Sequence, residues 1–89
     1  MSRTIFPLQV FERRLVKFIK THPELKSEIP KILLMLSKDI RTPSLSTHKL
    51  HGKMKDSYGC NINYRYRIIF SFDDDYVYLE SIGSHDDVY

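Results

Sequence analysis

Arg65 and Arg67 stand two residues apart in the stretch Tyr64–Phe72, Y-R-Y-R-I-I-F-S-F. Strand side chains alternate, so this stretch reads as a β-strand with two unlike faces. Tyr64, Tyr66, Ile68, Phe70 and Phe72 fall on one face, and Arg65, Arg67, Ile69 and Ser71 on the other. Two guanidiniums about 7 Å apart on one sheet face suit a polyanion. Just upstream, His48–Lys55 reads H-K-L-H-G-K-M-K. Its Lys49, Lys53 and Lys55 extend the basic character, a pattern consistent with RNA but also with a plain solvated surface. Histidine titrates near neutrality and can move protons; the chain offers His22, His48, His51 and His85. One cysteine and four scattered histidines lack zinc-ligand spacing, and no phosphate-cradling glycine loop or serine-hydrolase signature is present.

The elements that must position these residues follow from periodicity. Arg3–Phe6 reads as a short edge strand, with Pro7 in the first turn of a helix. Leu8, Phe11, Leu15, Phe18 and Ile19 share a helical face, while Arg13, Arg14, Lys17 and Lys20 occupy the rest as a basic outer surface. His22-Pro23 ends this helix, and His22 reads as a loop residue. A second helix, capped at Ser27 with Pro30 in its first turn, carries Ile29, Ile32, Leu33, Leu36 and Ile40 on its apolar face. Leu34 and Met35 lie off that face. Thr42–Thr47 is a polar loop, Leu50 and Met54 point inward, and Asp56–Gly59 is a turn. Asp73-Asp74-Asp75 makes a hairpin turn before a last strand, Tyr76–Ile82. The expected fold is therefore α+β: a short N-terminal strand, then a two-helix hairpin packed on one face of a small, mainly antiparallel sheet. The helices cover the aromatic side, and the arginine side is left open.

The chain has 89 residues, enough for one domain with one modest core, here expected to span residues 1–89. Its net charge of +3 is unevenly spread. Residues 48–72 hold five Lys/Arg against one acid, whereas residues 73–89 hold six acids and no Lys or Arg. No apolar run reaches membrane-span length, and charges from Glu12 onward interrupt any signal-peptide core. Cys60 is the only cysteine, so no internal disulfide can form. A cytoplasmic location without membrane contact is expected.

Taken in order, H-K-L-H-G-K-M-K, Y-R-I-I-F, the aspartates and L-E-S-I-G-S-H-D-D-V-Y resemble the RelE/ParE superfamily of toxins, most closely its RelE/YafQ-type mRNA interferases of type II toxin–antitoxin systems. That resemblance implies the RelE-like fold and a metal-independent endoribonuclease, without cofactor, that cuts mRNA on the ribosome and inhibits translation. It implies a cognate antitoxin as partner. It also implies a role for Arg67 at the scissile phosphate, for His85 as general acid and for His48 (or Lys53 or Lys55) as general base. Tyr89 would stack on or orient the substrate. Arg65, Lys53 and Lys55 would contact RNA. YafQ-type members carry a histidine where this chain has Asn61 and an aspartate where it has Arg65. Two other readings stay open: a ParE-like, non-catalytic inhibitor of DNA gyrase, and an inactive member acting as a binding module. Arg67 also has a structural alternative, a cross-strand ion pair with Glu80.

Overall fold

The computed structural model describes residues 2–50 and 56–84. Its elements run β1 (Thr4–Pro7), α1 (Gln9–Thr21), α2 (Glu28–Lys38), β2 (His48–Lys49), β3 (Tyr58–Asn61), β4 (Tyr66–Phe72) and β5 (Tyr76–Ser84). Short 3-10 turns at Pro23–Leu25 and Pro43–Leu45 follow the two helices. The strands form one five-stranded sheet in the order β1-β5-β4-β3-β2. Every pairing is antiparallel except β1 with β5. This is the α+β arrangement expected from periodicity.

The helices form where the apolar residues recur every three to four positions. Phe11 and Phe18 of α1 and Ile29, Ile32 and Leu36 of α2 are buried. They meet Cys60, Ile68, Phe70, Val77, Leu79 and Ile82 from the strands in one cluster. Full burial of each large side chain is worth about 1.5–3 kcal/mol, so this cluster is the main favourable contribution to folding. Ser27 does precede α2, and Pro30 does sit in its first turn, but Ser27 makes no side-chain capping bond. Pro7 is the last residue of β1, paired with Leu79, rather than the first turn of α1. The helix begins at Gln9, after the Leu8 amide has bonded the Leu79 carbonyl at 3.0 Å.

Three features differ from the expectation. First, the central strand starts at Tyr66, not Tyr64. The Asn63 Oδ1 accepts the amides of Arg65 (2.8 Å) and Tyr66 (2.9 Å), which turns the chain before β4 begins. Tyr64 is consequently 89% exposed. Second, Tyr58 and Gly59 belong to β3 rather than a turn, and Tyr58 packs against Phe70 and Phe72. Third, the face away from the helices is not bare. Ile69 lies there fully buried beneath Leu50, forming a second small cluster. A bulge makes this possible. The register shifts between Ile69 and Phe70, so Leu79 and Ile82 both face the main core while Glu80 and Ser81 oppose Ile69 together.

Candidate active site

The outer face of the sheet ends in a row set by register. Asn61 of β3 pairs with Arg67 of β4, which pairs with Gly83 of β5. Cys60, Ile68 and Ile82 form the adjacent row and point into the core, so alternation turns Asn61 and Arg67 outward. Arg67 is half-buried. Gly83 beside it has no side chain to cover it. The next outward row is His48, Gly59, Ile69 and Ser81.

His48 is exposed on β2, opposite Gly59. Its Nδ1 lies 3.1 Å from the Ser46 carbonyl. A carbonyl oxygen only accepts, so Nδ1 carries the hydrogen. The basic nitrogen of the neutral ring is then Nε2. Two strand spacings across and two residues along separate the His48 and Arg67 Cα atoms by about 12 Å. Gly59 contributes no side chain between them.

Asn61 adds an unsatisfied group. Its Oδ1 is buried and has no hydrogen-bond partner among the described residues. Buried acceptors are almost always paired, so this orphan, on the residue that pairs with Arg67 across the strands, is an unusual feature of the row.

Arg65 is displaced from the expected pair. It lies exposed in the turn ahead of β4 and does not share the strand face with Arg67. Glu80, the alternative partner of Arg67, does not stand directly opposite it. The residue opposite Arg67 is Gly83, and the Glu80 Oε1 accepts the Ser57 hydroxyl at 2.6 Å. His85, Tyr89, Lys53 and Lys55 lie outside the described residues. Among the described residues no three His, Cys, Asp or Glu side chains gather as metal ligands.

Two residues at this end escaped the sequence reading. The Arg14 Nη1 donates to the Ser81 Oγ at 2.7 Å, bringing a helix arginine to the edge of β5. Periodicity marked Arg14 as solvated. It could not reveal that α1 runs along β5 beyond the end of β1. His22, read as a loop residue, stacks on Phe18 at 4.5 Å and meets the Tyr66 ring edge-on at 4.5 Å. Its Nδ1 also lies 3.1 Å from the Phe18 carbonyl.

The electrostatics are polarised along β4 and β5. Arg67 sits at one end of this hairpin and Asp73, Asp74 and Asp75 at the other, roughly 20 Å away at strand rise. Asp73 is held below its ordinary pKa by the Tyr78 hydroxyl and by the Asp75 and Tyr76 amides. The same bond, donated by Tyr78 at 2.7 Å, pushes the tyrosine up. Burial raises the Cys60 thiol to about 12, so this cysteine, under the site on the core side, is a packing residue and not a nucleophile.

Residues 3–89 match the family described as the bacterial toxin of type II toxin–antitoxin system, YafQ. No curated protein sequence matches the chain. Among solved structures, a metal-bound toxin from Helicobacter pylori superposes with a TM-score of 0.79 at 22% identity, over 100% of both chains. The DinJ–YafQ toxin–antitoxin complex of E. coli gives a TM-score of 0.79 at 16% identity, covering 100% of this chain and 99% of that one. A YoeB/ParE toxin from Agrobacterium tumefaciens gives 0.74 at 9%, covering 92% and 98%. At these identities the structural likeness establishes the RelE-like fold. Taken with the family match over nearly the whole length, it follows that the chain belongs to the YafQ family of toxins of type II toxin–antitoxin systems.

Proposed function

We propose that this toxin is a metal-independent endoribonuclease that cleaves mRNA on the ribosome, in the cytoplasm where that substrate is. The observation that carries the proposal is the end row of the outer face: Arg67 between Asn61 and Gly83, with His48 on β2 nearby and its Nδ1 3.1 Å from the Ser46 carbonyl. Cleavage begins when the Nε2 of His48 takes the 2′-hydroxyl proton. The 2′-oxygen attacks the adjacent phosphorus, and the bond from phosphorus to the 5′-oxygen breaks. Arg67 stabilises the pentacoordinate phosphate through bidentate N–H donation. His85, bonded directly to the last residue of β5, returns a proton to the leaving 5′-oxygen. The products are a 2′,3′-cyclic phosphate and a 5′-hydroxyl. Lys53 and Lys55 are the alternative bases, and Arg65 and both lysines contact the RNA backbone. Tyr89 stacks on a base. The unpartnered Asn61 oxygen accepts a hydrogen bond from the bound nucleotide, in place of a second base.

A cognate antitoxin binds the toxin, by analogy with the E. coli toxin–antitoxin complex. Expression of His85→Ala and Arg67→Ala variants tests the assignment. Both are expected to abolish growth arrest and mRNA cleavage while remaining folded. Full toxicity with RNA cleavage by both variants overturns it, and DNA breakage without mRNA loss points instead to gyrase inhibition.

A further inference from the structure

We propose that the groove between α1 and the uncovered edge of β5 is a second anion site, which holds the RNA backbone next to the phosphate bound by Arg67. The proposal rests on the ribonuclease reading and extends it by one contact surface. β1 pairs with β5 only from Tyr76 to Leu79. Among the described residues no strand covers that side of β5 from Glu80 to Ser84. α1 runs alongside instead, leaving a groove of about 280 Å³ with Arg14, Lys17, Thr21 and His22 on the helix side and Ile82 and Gly83 on the strand side.

Three observations make this more than a solvated helix face. Arg14, Lys17 and Thr21 fall at i, i+3 and i+7, so they line one stripe of α1. Arg14 is anchored: one of its five N–H donors is taken by the Ser81 hydroxyl, which is 7% exposed, and this fixes the guanidinium against the β5 edge. Neither Arg14 nor Lys17 is ion-paired among the described residues. Glu12, the acid of α1, is two residues from Arg14 and does not face it. Among the described residues the groove therefore presents two cations and no carboxylate.

Gly83 decides the occupant. It is a wall of the groove and also the β5 partner of Arg67, about 5 Å away between Cα atoms. Having no side chain, it places no obstruction of its own between the Arg67 face and the groove. A phosphodiester chain bound at Arg67 can follow that path, placing a neighbouring phosphate between Arg14 and Lys17. Continuity with the Arg67 position favours RNA over an acidic peptide segment as the partner.

The test is the salt dependence of binding to a 2′-O-methyl single-stranded RNA of about ten nucleotides, which cannot supply the attacking hydroxyl. Each phosphate contact on a single strand contributes about 0.7 to the slope of log K against log salt. Arg14→Gln combined with Lys17→Gln is expected to lower that slope by about 1.4. Lys17→Glu alone, at a side chain that makes no hydrogen bond or ion pair among the described residues, is expected to weaken binding at least tenfold with unchanged Tm. Lys31→Gln, on α2, serves as control and should match the wild type. Variants that bind RNA with the wild-type slope overturn the groove assignment while leaving the ribonuclease reading intact. So does a loss confined to antitoxin affinity, which would make the groove a protein-docking surface. A wild-type protein that neither binds nor cuts RNA overturns both.

Discussion

Replacing Asn61 with valine is expected to make the fold more stable and the toxin less active. The Asn61 Oδ1 is buried without a hydrogen-bond partner among the described residues. A buried acceptor left unpaired costs about 1–3 kcal/mol, and removing it recovers that penalty. Valine also suits a strand better than asparagine, by up to about 1 kcal/mol. Some of the gain is offset by imperfect packing of the new methyl groups, which leaves a net stabilisation of about 1–2 kcal/mol. For a domain of this size each kcal/mol shifts Tm by roughly 4–8 °C, so the rise is at least about 4 °C. The functional effect runs the other way. If the oxygen accepts a hydrogen bond from bound RNA, its loss costs about 1.4 kcal/mol, or tenfold in cleavage rate. Thermal unfolding and single-turnover cleavage on the same preparation measure both. A lower Tm would mean that Asn61 is already satisfied in the fold. A higher Tm with unchanged cleavage would mean that the orphan oxygen has no substrate to meet.

Other consequences follow from individual groups. Cys60, raised to about 12 by burial, is about one part in ten thousand thiolate at pH 8, so alkylation is expected to be negligible in the native protein and rapid in urea. Asp73 has a folded pKa below its unfolded value near 3.8. Its stabilisation is thus present above that pH and lost as pH falls through the depressed value. Tyr78 is raised above 10.0, so its share is present below that pH and lost as pH rises through the folded value. Tyr78→Phe should therefore flatten both limbs of a Tm-against-pH curve. An unchanged curve would show that the Tyr78–Asp73 bond does not persist in solution. Leu36→Ala, in the fully buried centre of the core, is expected to cost about 2–5 kcal/mol by urea unfolding, and a smaller loss would mean the core collapses around the cavity.

Much of the fold was legible because burial follows period. Phe11 and Phe18 at helical spacing, and Ile68 and Phe70 at strand spacing, went where their period sends them. The errors arose where a local hydrogen bond or a non-local contact decided the outcome. Asn63 bonds two following amides and so removes Arg65 from the strand, an effect alternation alone cannot register. The bulge at Glu80 is invisible to a period-2 reading, yet it sets which β5 residues oppose Ile69. Arg14 read as solvated because helix periodicity says nothing about where the helix lies against the sheet, and Ser81 supplies that information only once β5 is in place. The outward position of Arg67 on β4 was legible from alternation alone. Its neighbours Asn61 and Gly83 were not, because they come from strands whose register the sequence leaves open.

The central claim is that the Arg67 row cuts RNA. The most direct measurement incubates mRNA with the purified toxin, with and without ribosomes, and maps both new ends and their chemistry. The wild type is expected to yield 5′-hydroxyl and 2′,3′-cyclic phosphate ends when ribosomes are present, and Arg67→Gln to lose them by at least a hundredfold, the size of effect expected when one transition-state donor is removed. Intact mRNA under every condition, or equal cleavage by Arg67→Gln, would contradict the account.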